Sequence, residues 1–316
     1  MDADDEIVFD MFPFFRQYKS GRVVRSFTDI VPAGIDAATG VASKDVVIDP
    51  STGLSVRLHL PTLGAASHDR KLPVLVYFHG GAFLIGSAFD PHSHHYLNEV
   101  VAKASVLAVS VDYRLAPEHP LPTAYEDAWA VLLWIVGGAE AWLSERGDLE
   151  RVFLAGCSAG ANIAHQVALR AGAEALPARA RVEGMILLHP YFWGREPVGA
   201  ERRDAEFRAK EERVWRFVCP ESKGVDDPYV NPVAAGAPSL TGVVARRVLV
   251  AVAEEDWLRE RGRVYCEGLK ASGWGGAAEL VETKGEGHAF HVSNPRSEKA
   301  QELMQRVVDF LGSNTS

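Results

Sequence analysis

Cysteine is scarce in this chain: three occur in 316 residues, at Cys157, Cys219 and Cys266. An odd number at such wide spacing excludes a disulfide framework and supplies no C-x-x-C pair for zinc, so the chain reads as intracellular. Long hydrophobic runs are missing too. The longest, Trp129 to Ala139, is about half of what a bilayer requires and is flanked by Asp127 and Glu140, which predicts a buried helix. Positive charge is in deficit, with 33 Lys plus Arg against 42 Asp plus Glu and a net charge of -9. That balance repels polyanions and excludes nucleic acid or an anionic membrane as the main partner. Met1 to Asp10 carries four aspartates and one glutamate where a secretory signal needs positive charge and an apolar stretch, so a cytoplasmic location is expected. There is no Gly/Ser linker, internal repeat or low-complexity tract to divide the chain, and a single domain over residues 1–316 is expected.

What is present is an alternation. Eight short β-branched runs occur: Val46 to Ile48, Val56 to Leu60, Val74 to Phe78, Val106 to Val111, Val152 to Leu154, Met185 to Leu188, Val248 to Val252 and Glu279 to Val281. Segments with helical spacing lie among the later runs, at His95 to Ala104, Thr123 to Ser144, Ala159 to Ala171, Leu258 to Ser272 and Ser297 to Leu311. This pattern predicts an α/β protein with a central, mostly parallel eight-stranded sheet covered by helices on both faces. Two segments stand outside it. Residues 193–223, with a helical pattern at Asp204 to Val218, read as an insertion after the sixth strand that caps a site. Residues 1–40 carry Met11-Phe12-Pro13-Phe14-Phe15, whose aromatics must pack on something.

Gly156-Cys157-Ser158-Ala159-Gly160 falls between the fifth strand and the following helix, the setting that a nucleophile elbow requires. The glycines permit the tight turn that lifts the Ser158 hydroxyl to the end of the sheet. A serine hydroxyl needs a base, and the base needs an anion to hold its tautomer. Two loops after later strands supply both: Glu254-Glu255-Asp256 and Gly285-Glu286-Gly287-His288, with His291 as a rival base and all three carboxylates open for the acid. His79-Gly80-Gly81-Ala82 after the third strand, with the Ala159 N–H, offers backbone donors for a developing oxyanion. Asp112 to Glu118 is expected to pin a turn. His92, His94 and His95 follow Pro91 with no ligand completing them at metal spacing, and are expected on a surface loop. Trp193, Trp215 and Phe217 fit a pocket wall or a small core equally well.

Pro13-Phe14-Phe15-Arg16, His79-Gly80-Gly81, Asp112 to His119, Gly156 to His165, His189 to Gly194 and Asp227 to Pro232 together resemble the hormone-sensitive-lipase branch of the α/β-hydrolases. Within it, they resemble the plant carboxylesterases, whose relatives include the gibberellin receptor and 2-hydroxyisoflavanone dehydratase. The resemblance runs almost end to end. It implies Ser158 as nucleophile, His288 as base and Asp256 as acid, with an oxyanion hole from Gly80, Gly81, Ala82 and Ala159. Relatives favour a third glycine where this chain has Ala82. The N-terminal segment is implied to act as a lid, which would put Phe12, Phe14 and Phe15 beside the substrate; Trp193 stays a separate pocket candidate. The implied activity is hydrolysis of small, fairly apolar carboxylic esters through an acyl-enzyme, without cofactor or metal. A dehydratase-like lyase and a non-catalytic gibberellin-receptor-like binder are the alternatives, and the receptor branch lacks the histidine that His288 supplies here.

Overall fold

The computed structural model describes residues 6–62, 71–138, 140–177 and 180–313. Its main sheet has eight strands: β4 (Ala42–Asp49), β5 (Leu54–Leu60), β6 (Leu72–Phe78), β7 (Leu107–Asp112), β8 (Gly147–Cys157), β9 (Val182–Leu188), β10 (Arg247–Ala253) and β11 (Ala277–Thr283). Their order is β11-β10-β9-β8-β6-β7-β5-β4. The five pairings from β7 through β6, β8, β9 and β10 to β11 are parallel, and the two made by β5 are antiparallel. Alternate residues of the central strands feed opposite cores. Val74, Val76 and Phe78 of β6 face one layer with Val152 and Leu154 of β8, and Leu75, Tyr77, Phe153 and Ala155 face the other. Being buried on both sides explains why these strands read as continuous apolar runs.

Helices α2 (Thr123–Gly137), α4 (Ala159–Glu174) and α6 (Arg259–Ala271) line the first layer, and α1 (Pro91–Ala104) and α8 (Glu298–Gly312) the second. Each fully buried aliphatic side chain in these layers, such as Leu97 or Leu132, contributes about 1.5–3 kcal/mol. α1 is set by Asp90, whose carboxylate accepts from the Ser93 N–H at 2.7 Å, and by Pro91 at its first position. It begins four residues before the expected start, so His92, His94 and His95 lie at its beginning and not on a loop. The expected helix Thr123 to Ser144 is broken: Gly138 turns left-handed at φ 65° and Glu140 caps a separate α3 (Ala141–Arg146).

The N-terminal segment, which carries no strand signal in the sequence, forms a small antiparallel sheet of β1 (Ile7–Met11), β2 (Phe15–Tyr18) and β3 (Val23–Arg25). The sheet packs on α5 (Ala205–Val218), the helix in the stretch between β9 and β10: Phe9 stacks on Phe217 at 3.8 Å, and Arg213 donates to the Val8 carbonyl at 2.8 Å. Arg25 ties it to the body by donating to the carbonyls of Leu84 and Ala116.

Candidate active site

Loops leave the carboxyl ends of the parallel strands β6, β8, β9, β10 and β11 around the point between β6 and β8 where the order of connections reverses. One carries Ser158, immediately after β8 and immediately before α4. Ser158 adopts φ 54° and ψ -115°, a strained geometry for a side chain with a Cβ. The turn is possible only because its flanks are bare. A Cβ on Gly156 would lie 2.2 Å from the Gly160 carbonyl carbon, and one on Gly160 would lie 1.9 Å from the Phe78 oxygen. Ser158 occupies the N-cap position of α4 without capping it. Its hydroxyl lies instead 2.9 Å from Nε2 of His288.

On the other side of the imidazole, His288 Nδ1 meets Asp256 Oδ2 at 2.8 Å, and the other Asp256 oxygen accepts the Leu258 N–H at 2.9 Å. The Asp256 side chain is 0% exposed and that of His288 17%, so the carboxylate is shielded while the ring still reaches solvent. The rivals point elsewhere. Glu254 binds Lys284 and the Gly285 N–H. Among the described residues His291 has no hydrogen-bond partner at either ring nitrogen, and burial pushes its pKa down to about 3. Trp257 covers the face of His288 at 4.7 Å between ring centroids.

The second loop follows β6. Gly80 lies against the elbow so closely that a Cβ there would sit 3.5 Å from that of Ser158. Gly81 and Ala82 both have positive φ, 118° and 54°, and a Cβ on Gly81 would strike the Ile85 carbonyl at 2.1 Å. Among the described residues no acceptor within the chain takes the N–H groups of Gly81, Ala82 or Ala159. Ala159 opens α4, where the helix dipole adds positive potential, and its N–H with the two loop donors suits an anion. The loop is braced from behind by Tyr113, which stacks on His79 at 4.2 Å and donates to its carbonyl at 2.8 Å. The Asp112 to Glu118 stretch pins turns as expected: Asp112 accepts from Ser87 and Ala88, and Arg114 grips Asp127.

The third loop, after β9, carries a residue absent from the candidates that the sequence suggests. His189 Nδ1 accepts the N–H of Ala289, next to His288, at 2.9 Å. Only its place at the end of a central strand could have signalled it.

The aromatic candidates sit farther back. Phe15 is 1% exposed, edge-on to Phe9 and Phe217. Phe14 is 43% exposed and stacks on Phe27. Trp193 is 2% exposed, with the guanidinium groups of Arg208 and Arg261 over its ring at 4.6 and 5.7 Å. Both arginines share Glu201, Arg261 at 2.5 Å and Arg208 at 3.2 Å, and this buried cluster clamps the start of α5 to α6, the helix beside Asp256. All three aromatics thus pack on core and cap residues. Phe83, itself buried, makes ring contacts with Tyr191 and with Trp215.

Three groups of side chains bring ligand-type atoms within 4.8 Å: Cys157, His189 and His291; Asp36, His94 and His95; and His189, Asp256 and His288. None presents a free donor set. His189 accepts a hydrogen bond at Nδ1 and so carries its proton on Nε2, while burial pushes the Cys157 thiol up to about 12. In the second group Asp36 supplies a carboxylate invisible to local spacing, but His94 faces Arg57 and Asn98 with its two nitrogens. The third is engaged in the Ser158 relay. Concavities of about 360 and 600 Å³ open elsewhere on the surface, neither lined by Ser158.

Residues 75–292 match the family described as alpha/beta hydrolase fold. The chain belongs to the α/β-hydrolase family. It is 48% identical over 314 residues to tuliposide A-converting enzyme 2 of Tulipa gesneriana, covering 98% of this chain and 79% of that one. With probable carboxylesterase 2 of Arabidopsis thaliana it shares 44% identity over 307 residues, 97% and 96% of the two chains. Among solved structures it is similar to the thermostable carboxylesterase EstE1 from a metagenomic library, with TM-score 0.71, 28% identity and coverage of 89% and 90%. These likenesses put it in the plant carboxylesterase-like branch. The tulip relative is chloroplastic by name; no helix among the described residues is long and apolar enough to cross a membrane.

Proposed function

We propose that this chain is a serine carboxylesterase acting on small, fairly apolar esters. The observation that carries the reading is the relay from Ser158 Oγ through His288 to Asp256, at 2.9 and 2.8 Å, on a serine held at φ 54°. Ser158 Oγ attacks the ester carbonyl carbon and its proton passes to His288 Nε2. Asp256 holds the tautomer and stabilises the imidazolium. The carbonyl oxygen becomes an oxyanion and takes hydrogen bonds from backbone N–H groups among Gly80, Gly81, Ala82 and Ala159. Collapse expels the alcohol, which receives the proton from Nε2. Water then attacks the acyl-enzyme by the same route and releases the acid. No step calls for a metal or an organic cofactor.

The single domain and its cap belong to the same proposal. The described part of the N-terminal segment, residues 6–40, and residues 193–223 cover the mouth, and Phe14, Phe15 and Trp193 act on the substrate indirectly, by fixing the sheet and helix that form its walls. A non-catalytic receptor gains nothing from a histidine held between Ser158 and Asp256. A dehydratase-like lyase would use His288 as its base without acylating Ser158.

The test is turnover of aryl esters of graded acyl length beside a hydroxyisoflavanone, with wild type, Ser158→Ala and His288→Gln. Ester hydrolysis lost in both variants by about a thousandfold or more supports the reading. Elimination activity that survives Ser158→Ala replaces it with the lyase, and tight ligand binding without turnover replaces it with the receptor.

A further inference from the structure

Helix α5 presents one face to the body of the protein, read from the burial of Arg208, Trp215 and Val218. Glu211 belongs to that face, three residues after Arg208 and four before Trp215, so its side chain emerges on the same side. Of the other acidic residues around this helix, Glu206 is exposed to solvent and three are engaged. Asp204 caps the helix by accepting from Phe207, Glu201 is clamped by Arg208 and Arg261, and Glu212 pairs with Arg216 at 3.9 Å. Glu211 is partly buried and has no hydrogen bond or ion pair among the described residues. A partly buried carboxylate without a protein donor calls for an explanation.

Its surroundings supply one. Trp215, a turn away, packs edge-on to Phe83 at 6.5 Å, and Phe83 packs on Tyr191 at 6.2 Å, whose N–H donates to the Ser158 carbonyl at 3.1 Å. Glu211 also lies within electrostatic reach of both His288 and Tyr191. Burial raises its pKa, with Lys210 and His288 opposing.

Resting on the esterase reading of this site, we propose that Glu211 is a specificity residue that accepts a hydrogen bond from a free hydroxyl on the substrate, close to the scissile ester. The ligand class is a neutral hydroxylated ester. A cationic ester fits less well, because its charge would stand against the imidazolium that His288 becomes during attack. The carboxylate is left without a protein partner because the substrate supplies the donor.

The experiment compares 2-hydroxyethyl benzoate with propyl benzoate, which replaces the hydroxyl by a methyl group of similar size. Binding is measured in Ser158→Ala protein, alone and combined with Glu211→Met or Glu211→Gln, with folding checked by thermal melts. Ser158→Ala alone is expected to favour the hydroxylated ester by about tenfold. Glu211→Met should bring the ratio to about one, and Glu211→Gln, which keeps one accepting oxygen, should fall between. A ratio that Glu211→Met leaves within about twofold overturns the proposal, and so does a wild-type kcat/KM for 2-aminoethyl benzoate that exceeds that for the hydroxyethyl ester by a margin Glu211→Met removes. Because binding needs no turnover, its outcome is separate from that of the esterase reading, which wild-type hydrolysis of propyl benzoate decides.

Discussion

Ala289 donates its backbone N–H to His189 Nδ1 at 2.9 Å, and both residues hold positive φ, 54° and 48°. The bond joins the loop after β9 to the loop after β11 at the residue next to His288. Burial, with His291 and His288 nearby, holds His189 well below the usual histidine range, so its ring stays neutral and keeps its lone pair on Nδ1. On the proposed mechanism His189 is therefore a positioning residue for His288. His189→Ala should lower kcat about 10- to 100-fold with KM nearly unchanged, since a buried N–H is orphaned at a cost of about 1–3 kcal/mol. His189→Asn, which restores an acceptor, should recover most of the loss in a steady-state ester assay. An Ala variant within about twofold of wild type would remove the role.

Asp256 can be separated from its two acidic neighbours by the same assay. Asp256→Asn should reduce kcat by about three to four orders of magnitude, because the ring loses the anion that holds its tautomer. Glu254→Gln and Glu255→Gln should stay within about threefold. Comparable losses in all three would show that the loop, and not one carboxylate, matters.

Two glycines near the site make opposite predictions for stability. Gly160→Ala would drive a Cβ to 1.9 Å from the Phe78 oxygen and 2.5 Å from that of His79, both backbone atoms that cannot swing aside. A loss of more than about 3 kcal/mol, or no folded protein, is expected in denaturant titration. Gly287→Ala meets nothing within 4 Å and should change stability by less than about 0.5 kcal/mol.

Ala82 stands at φ 54° where relatives favour glycine. Ala82→Gly relieves a left-handed residue of strain worth about 1 kcal/mol while loosening the unfolded chain by a similar amount, so the two nearly cancel. Thermal stability should move little and esterase activity should stay within about tenfold, because the donor is a backbone N–H. A hundredfold rise in kcat would show that the alanine impairs the oxyanion hole.

Acid stability follows from buried neutral histidines. Burial pushes His59, His165 and His291 each down to about 3. Unfolded, each titrates near about 6.5, so between those two values the unfolded chain binds more protons. The stability these rings contribute is complete above about pH 6.5 and is lost as pH falls toward 3, at up to about 1.4 kcal/mol per unit for each ring. His165 serves as the probe because it hydrogen-bonds to Tyr265, at 2.9 Å, away from the relay. His165→Gln should lower proton uptake on unfolding at pH 5 by about one, read from the slope of stability against pH; an unchanged slope contradicts the assignment.

Much of this was legible in the sequence, and for physical reasons. Central strands such as Val74 to Phe78 are buried on both faces, so their apolar runs stand out, and Gly156 and Gly160 mark the elbow because no other residue fits. The N-terminal strands escape notice because β1 to β3 are 3–5 residues long and depend on contacts with α5 more than 180 residues away. Trp193 fits pocket and core equally well until the fold brings Arg208 and Arg261 over its ring. His189 and Glu211 carry no local pattern at all: one matters because two distant loops meet, the other because nothing meets it.

The proposed chemistry stands on Ser158 being the nucleophile. Mass spectrometry after treatment with a fluorophosphonate tests this directly, by counting the adducts and locating them in peptides. The acyl-enzyme mechanism predicts one adduct per chain, on Ser158, formed in step with loss of ester hydrolysis and abolished in His288→Gln. Full inactivation with the label on another residue, or ester hydrolysis persisting with Ser158 fully labelled, would contradict it.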